Sequence, residues 1–393
     1  MMHAGHGRCA ILAVARLVPK TSGRVLAPFR IDLDACQASR SYRHRSSVLI
    51  AAYATLTVAA SRRARARSCR RSQDLKVQEE LQAEQTVKAS TVCKPCGIGL
   101  GADGRFIGEF KPQPNPSYIP ERLVVWDRIH SKAQAELESK PKEPIIIKLP
   151  DGSEIGGTSW TTTPMEIAQG ISKRLAADSV VASVTYRSGV VDSVADVMNE
   201  DDETEDGDDD ESTATKLSRL WDLNRPLEGD CSLELIKFDD PRGQAVFWHS
   251  SAHMLGCALE KQFGGHLGIG PPVEGGFYYD VFMGNSRVSD AEYSRIKAGV
   301  DDLRKSDEPF ERLVITREEA LEMFAGNPFK VDIINRKVPP GTLTSAYRCG
   351  DLVDLCRGPH VPTTGRVKAF EVTKSSSAYY MGSQENDTLQ RVY

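Results

Sequence analysis

The sequence predicts an α+β fold, and three local patterns carry that prediction. Residues 145–155 hold two apolar runs joined by a Pro-Asp-Gly turn, which is a β-hairpin pattern. The Thr-Pro-Met-Glu motif at 163–166 combines a capping box with proline at the first helical position, so a helix begins there. Residues 247–263 then read as a helix stopped by two glycines, and the aromatic stretch 276–280 follows as a strand.

Further helices and strands follow from the same kind of pattern. We expect helices over 118–138, 289–305 and 317–325, and a buried helical stripe of Ile167, Ile171 and Leu175. Strands are expected over 180–186, 190–192, 310–315, 329–338, 352–355 and 367–372.

The length of the chain predicts more than one domain, and its charge is distributed unevenly between segments. A chain of 393 residues has room for two to three domains. The net charge of −4 hides a basic segment, 1–73, with thirteen arginines and two acids, and a segment, 200–211, in which ten of twelve residues are acidic. Without them 36 basic and 42 acidic residues remain, so any contact with nucleic acid must rest on local patches.

The basic segment is typical of organellar targeting sequences, which are rich in arginine and serine and poor in acids. Its apolar run, 48–60, is shorter than the ~20 residues of a membrane span, so no membrane span is expected. Targeting would place the protein in a mitochondrion or plastid. The alternatives are a disordered basic tail or an untranslated upstream region, with a cytoplasmic protein.

Residues 74–117 are rich in glycine and proline toward their end and are predicted to form a linker before a helix over 118–140. Cys93 and Cys96 form a single Cys-x2-Cys pair without a second pair at zinc-ribbon spacing. The nine cysteines lack the dense, even spacing of a secreted disulfide scaffold, which favours a reducing compartment.

Two spaced pairs of side chains predict a chemical site. His249 and His253 are four residues apart, so on a helix they share one face. Cys356 and His360 form a second pair about a hundred residues later. Together they place three imidazoles and one thiol where they could act as acid–base groups or metal ligands.

The segments around these pairs resemble one family, the threonyl-tRNA synthetases. The stretches 249–256, 270–280, 347–360 and 388–393 occur in that family's second domain in the same order and at similar spacing. Residues 143–240 resemble its first domain, the small ubiquitin-like TGS module of β-grasp type, with an acidic insertion at 193–216. Residues 241–393 would then be the second additional, or editing, domain, which is α+β with an antiparallel sheet.

The resemblance implies an ester hydrolase that edits mischarged seryl-tRNA(Thr). By that resemblance His249, His253 and His360 are the acid–base candidates, and Lys330 binds or activates the attacking water. Asp354 would hold the ammonium group of the substrate, while Tyr347 and Cys356 would line the pocket. A pocket gains only about 1–3 kcal/mol from one methyl group, which explains why serine needs to be removed after misacylation.

Three other interpretations of the same residues remain open. His249, His253, Cys356 and His360 make a plausible tetrahedral zinc set, although the resemblance implies editing without a cofactor. Cys356 could be a nucleophile, although a labile ester gains little from a covalent route. The residues could also be buried polar groups in a site that has lost its activity.

The resemblance also implies that the chain stops before an aminoacylation core, which would bind ATP and carry most of a dimer interface. We expect either an incomplete gene model of a full synthetase, a free-standing trans-editing factor, or a non-catalytic tRNA-binding module. The expected partners are tRNA(Thr) and mischarged seryl-tRNA(Thr).

Overall fold

The structure is a computed structural model that describes residues 91–92, 99–101, 103–187 and 218–393. All of them belong to one compact unit, Glu79–Tyr393. Helices and mostly antiparallel sheets alternate along it, which confirms the predicted α+β class. The basic segment 1–73, the Cys93/Cys96 pair, the acidic run and the strand predicted at 190–192 lie outside the described residues.

The first module, residues 144–237, is a five-stranded sheet with two short helices. Its strand order is β5-β4-β8-β6-β7, and only the β4–β8 pair is parallel. The elements are β4 (Pro144–Lys148), β5 (Glu154–Thr158), α2 (Pro164–Ile171), α3 (Lys173–Asp178), β6 (Ser179–Tyr186), β7 (Arg219–Trp221) and β8 (Cys231–Lys237).

Two local predictions in this module are confirmed and one is wrong. The hairpin joins β4 to β5, and Thr163 accepts a hydrogen bond from the Glu166 amide in a complete capping box. The buried stripe does not extend to Ile171, which is 47% exposed. The first helix ends at Ile171, and Ser172 caps a new helix, so Ile167, Ile171 and Leu175 do not lie on one continuous helical face.

A helix and a small sheet precede the first module. The short strands β1 (Thr91–Val92), β2 (Gly99–Leu100) and β3 (Phe106–Ile107) form an antiparallel sheet inside the stretch predicted as linker. Phe106 stacks on Phe282 of the later chain with ring centroids 4.6 Å apart. The helix α1 (Tyr118–Ser139) follows and buries Trp126 and Ile129.

The second module, residues 241–393, is built around one long helix. This is α4 (Pro241–Phe263), which is capped by Asp240 and ends at Gly264. Against it lies the antiparallel sheet β16-β17-β12-β9, with the hairpin β10–β11 beside it. The strands are β9 (His266–Leu267), β10 (Pro272–Val273), β11 (Gly276–Phe277), β12 (Tyr279–Phe282), β16 (Ser375–Tyr379) and β17 (Thr388–Val392).

A second antiparallel sheet, β13-β14-β15, completes this module with three helices. The elements are α5 (Asp290–Ser306), β13 (Glu311–Thr316), α6 (Arg317–Met323), α7 (Pro328–Lys337), β14 (Leu343–Cys349) and β15 (Leu352–Leu355). Two predicted strands are wrong: residues 329–337 of the first belong to α7, and 367–372 has no regular structure.

The modules share buried contacts. Val181 and Ile236 of the first module lie in the same apolar cluster as Val246 and Leu255 of α4. Arg366 of the second module donates to the carbonyl of Ala176 at 2.9 Å. The two modules are therefore packed on a common core.

Helix α1 is held to α4 by a buried ion pair. The guanidinium of Arg122 forms a two-pronged contact with the carboxylate of Glu260, with Nη1 2.9 Å from Oε1. The two side chains are 5% and 1% exposed. The position of α1 is thus fixed by a paired charge as well as by apolar packing.

Candidate active site

Four side chains predicted to share a site converge beside α4. The ligand atoms of His249, His253, Cys356 and His360 all lie within 4.8 Å of one another. Cys356 Sγ is 3.2 Å from His249 Nε2 and 3.3 Å from His360 Nε2. The two pairs, separated by about a hundred residues in sequence, thus form one cluster.

Regular elements position this cluster. His249 and His253 lie one turn apart on α4, as the spacing predicted. Cys356 follows β15, and its amide donates to the carbonyl of Ser345 on β14. His249 is half-buried, whereas His253, Cys356 and His360 are at most 1% exposed, so His249 marks the outer side of the cluster.

Ser250 fixes the orientation of His360. The Ser250 hydroxyl donates its single proton to the Val246 carbonyl at 2.7 Å, and it accepts from the Val361 amide at 3.0 Å. His360 Nδ1 lies 3.0 Å from the same oxygen, and with the hydroxyl proton on the carbonyl this contact favours the tautomer in which Nδ1–H is the donor. This assignment leaves the lone pair of His360 on Nε2, which faces the cluster.

A buried ion pair lies next to the imidazoles. Lys330 Nζ is 2.6 Å from Asp354 Oδ1, and both side chains are 1% exposed. The Tyr279 hydroxyl donates to the other oxygen of Asp354, Oδ2, which is 3.9 Å from His253 Nε2. Asp354 thus connects Lys330 to the histidine cluster.

The electrostatics of the site follow from its burial. Burial lowers the pKa of His253 to about 4, and burial together with His253 lowers that of His249 to about 3. Burial also raises the pKa of the Cys356 thiol well above its ordinary value. Burial alone would raise the pKa of Asp354, but Lys330 and His253 hold it below its ordinary range. At neutral pH the imidazoles and the thiol are uncharged beside an ionised acid–ammonium pair.

Several polar atoms at this point make no hydrogen bond with the described residues. Both ring nitrogens of His253 are buried without a partner, and Lys330 Nζ contacts Asp354 without hydrogen-bond geometry. Buried polar atoms are nearly always satisfied, because an unmade hydrogen bond costs about 1–3 kcal/mol. These atoms are therefore the donors and acceptors left for a bound water or substrate.

The remaining predicted residue, Tyr347, packs its ring edge-on against His360 with centroids 4.6 Å apart. Its hydroxyl does not face the cluster. It donates to Asp222 Oδ2 of the first module at 2.7 Å, and Asp222 Oδ1 accepts from the His360 amide at 2.8 Å. Asp222 is thus a neighbour of the site that sequence reasoning missed.

All seven predicted side chains lie in one contact network, and their roles remain proposals. Three further residues belong to it: Asp222, Ser250 and Tyr279. Tyr279 and Ser250 fall inside stretches that carry the family resemblance, but no spacing pattern marks them.

The cluster also suits a metal ion. Imidazole nitrogen and cysteine sulfur are usual ligands of tetrahedral zinc, and three of the former and one of the latter converge here. Ser250 would serve as the partner that orients His360 toward such an ion. His249, His253, Cys356 and His360 are the residues that could hold it.

Two family models match parts of this chain. The model described as the threonyl and alanyl tRNA synthetase second additional domain matches residues 344–393, and the TGS domain model matches residues 145–237. The first match includes Tyr347, Asp354, Cys356 and His360. The histidine pair on α4 and Lys330 lie outside it.

Curated relatives align over most of this chain. A probable cytoplasmic threonine–tRNA ligase 1 of Dictyostelium discoideum is 43% identical over 287 residues, which are 73% of this chain and 36% of the relative. A mitochondrial threonine–tRNA ligase 1 of Arabidopsis thaliana is 44% identical over 277 residues, 70% of this chain and 34% of the relative. The chain matches the N-terminal region of threonyl-tRNA synthetases. It spans about a third of the length of the curated relatives it matches.

These matches give names to the two modules. Residues 145–237 are a TGS domain, and the part of the second module from residue 344 matches the second additional domain. Among the described residues no helix is both long and apolar enough to cross a membrane.

Proposed function

We propose that this chain edits mischarged tRNA by hydrolysing the ester of seryl-tRNA(Thr). The observation that carries the proposal is the convergence of three uncharged imidazoles on a buried Lys330–Asp354 pair with unmade hydrogen bonds. Ester hydrolysis needs a positioned water, a proton acceptor and a donor for the oxyanion. The imidazoles offer the acceptor, Lys330 offers the donor, and the unpaired polar atoms offer partners for a water. The family matches support an aminoacyl-tRNA as the substrate.

An uncharged imidazole is the proton acceptor in this proposal. His360 presents its Nε2 lone pair because Ser250 occupies Nδ1. A water would attack the carbonyl carbon while the imidazole accepts its proton. The bond between that carbon and the ribose oxygen then breaks, and the imidazolium returns the proton to the leaving oxygen. Serine and uncharged tRNA are released.

Lys330 and Asp354 supply the fixed charges. The Lys330 ammonium can stabilise the negative charge that develops on the carbonyl oxygen. It also keeps Asp354 ionised, which lets this carboxylate attract the ammonium group of the aminoacyl moiety. The pairing of these residues is therefore compatible with both roles that the family resemblance implies.

The thiol of Cys356 supports attack by water over attack by cysteine. A thiolate is the reactive form of cysteine, and burial holds the pKa of Cys356 well above its usual value. His249 and His360 lie beside the thiol, but both are themselves uncharged at neutral pH because burial lowers their pKa values. Cys356 therefore lines the pocket in this proposal.

The test measures deacylation of seryl-tRNA(Thr) and threonyl-tRNA(Thr) by the 393-residue chain. We expect preferential loss of serine, and a rate at least about 100-fold lower in the His249→Ala/His253→Ala variant. The half-buried His130 on α1 lies outside the cluster and provides a matched control, and His130→Ala is expected to keep the wild-type rate. Equal rates for the double variant and the wild type would overturn the site assignment.

A zinc-dependent hydrolase is the second candidate, because the four ligand atoms already converge. The same deacylation assay after exhaustive chelation distinguishes the metal-free mechanism from the zinc-dependent one. A metal-free mechanism predicts a rate within about twofold of the untreated protein, whereas zinc dependence predicts loss and recovery on adding zinc. Elemental analysis of the purified chain gives the matching stoichiometry.

The wider context is also proposed from the relatives. The relatives are named as threonine–tRNA ligases, cytoplasmic in Dictyostelium discoideum and Caenorhabditis elegans and mitochondrial in Arabidopsis thaliana. We infer that hydrolysis here supports threonyl-tRNA formation in translation, with tRNA(Thr) as partner and ATP used by a ligase core. Dimerisation through such a core and mitochondrial or plastid targeting by the arginine-rich residues 1–73 belong to the same proposal, with the cytoplasm as the alternative location.

A further inference from the structure

Asp222 of the TGS domain extends into the editing site of the second module. It follows directly after β7 and is 7% exposed. Its two carboxylate oxygens accept from different parts of the site, Oδ2 from the Tyr347 hydroxyl at 2.7 Å and Oδ1 from the His360 amide at 2.8 Å. One side chain of the first module thereby contacts both β14 and the segment that carries His360.

Both contacts restrain the 356–360 segment. The His360 amide is held directly. Tyr347 restrains the segment indirectly, since its ring lies against His360 and its hydroxyl closely approaches Gly358. Gly358 has φ +73°, and a Cβ there would come within 2.1 Å of the Tyr347 hydroxyl oxygen, so the close approach requires glycine.

The same segment carries the proposed proton acceptor, His360, and the pocket-lining Cys356. Cys356 and His360 stand at its two ends, and the Gly358 amide donates to Cys356 Sγ at 3.2 Å. A shift of the His360 backbone would move Nε2 relative to His249 and Cys356. Displacements of about 1 Å can lower a catalytic rate about 100-fold.

We propose that Asp222 is a positioning residue for editing, through which the TGS domain forms part of the hydrolytic site. This inference rests on the proposed editing function. Asp222 acts through His360 and Tyr347 and does not touch the reacting atoms. The TGS domain is then required for the rate of hydrolysis as well as for any role in binding tRNA.

The test compares Asp222→Ala and Asp222→Asn with the wild-type chain in deacylation of seryl-tRNA(Thr). We expect Asp222→Ala to lower kcat about 30-fold, as for two lost hydrogen bonds of about 1 kcal/mol each, with KM changed less than about threefold. The kcat of Asp222→Asn should lie between those of Asp222→Ala and the wild type, because the amide has one acceptor oxygen for two donors. Tyr347→Phe removes one of the two hydrogen bonds, so its kcat should be close to that of Asp222→Asn.

Asp230 provides the matched control within the same domain. Its carboxylate accepts from the Ile146 amide at 2.7 Å, and it makes no hydrogen bond with the described residues of the site. Asp230→Ala should keep kcat within about twofold of the wild type, although it also removes a carboxylate–amide bond. A loss of kcat common to both variants would indicate damage to the TGS domain and overturn the positioning role.

Hydrogen exchange supplies a readout that does not depend on turnover. Asp222→Ala should speed exchange in peptides covering 356–361 and leave peptides from α4 unchanged. Unaltered exchange together with a wild-type kcat would overturn the positioning role alone. A wild-type chain that fails to deacylate seryl-tRNA(Thr) would instead overturn the proposed function on which it rests.

Discussion

At the residue scale, the buried Lys330–Asp354 pair affects both the stability of the fold and the charges at the proposed site. Each is 1% exposed, and removal of one partner would leave the other as an uncompensated charge. Such breaks cost about 3–5 kcal/mol, whereas an intact pair contributes little net stability. Their main value would then lie in the charges they hold at the site.

Lys330→Met removes the ammonium and keeps the apolar stem. We expect the free energy of unfolding to fall by about 3 kcal/mol, because Asp354 loses its cation, and deacylation to fall at least about 100-fold. Chemical denaturation and single-turnover deacylation measure the two effects.

The double variant Lys330→Met/Asp354→Asn separates these effects. The amide carries no charge and still accepts from the Tyr279 hydroxyl, so most of the lost stability should return while deacylation stays low. If activity returned with stability, the Lys330 charge would have no part in hydrolysis.

Residue patterns revealed the site only where its members are close in sequence. The His-x3-His and Cys-x3-His pairs are visible because their spacing matches one helical turn or one tight segment. Asp222 is separated from Tyr347 by 125 positions and from His360 by 138, and no local pattern marks it. Only the packing of one module on the other brings it to the site.

Helix α7 shows at the element scale why a pattern can mislead. Phe329, Val331 and Ile333 alternate with Lys330 and Asp332, which is the period of a strand. Asn327 nevertheless accepts from the Phe329 and Lys330 amides as an N-cap, and Pro328 occupies the first turn. These start signals prevail over the alternation because the helix can bury Phe329, Ile333 and Ile334, and they place Lys330 in its first turn.

The contact of β9 with α1 and the β3 region predicts a pH effect on stability. His266 is 5% exposed and lies among the rings of Phe106, Phe110 and Tyr118. Burial lowers its pKa to about 4. Between pH 6.5 and 4 the unfolded chain therefore binds a proton that the folded chain does not bind. The free energy of unfolding falls as the pH drops through this range, by up to about 3 kcal/mol from this residue.

His266→Phe should make the free energy of unfolding depend less on pH. The dependence that remains would come from the other buried histidines. Urea unfolding of variant and wild type at pH 7.5 and pH 5 measures the difference. If the free energy of unfolding changes by the same amount between the two pH values in both proteins, His266 does not contribute to the pH dependence. At pH 7.5 imidazole is uncharged in both states, so that comparison reports the packing change alone.

The shared core predicts, at the scale of the whole molecule, that the two modules unfold together. Val181 and Ile236 share a buried cluster with α4, and Arg366 donates to the first module's backbone. We expect calorimetry of the chain to show one transition for both modules, with equal calorimetric and van't Hoff enthalpies. Arg366→Ala should lower Tm without dividing the transition. Two resolved transitions would mean that the modules fold independently.

The buried Arg122–Glu260 pair affects where this protein can be divided. The TGS family match begins at residue 145, which suggests a cut just before it for preparing the two domains. Such a cut would discard Arg122 and leave Glu260 of α4 as an unpaired charge in the interior. The physical boundary of the folded unit therefore lies upstream of α1, and a shortened protein should retain residues from at least 118.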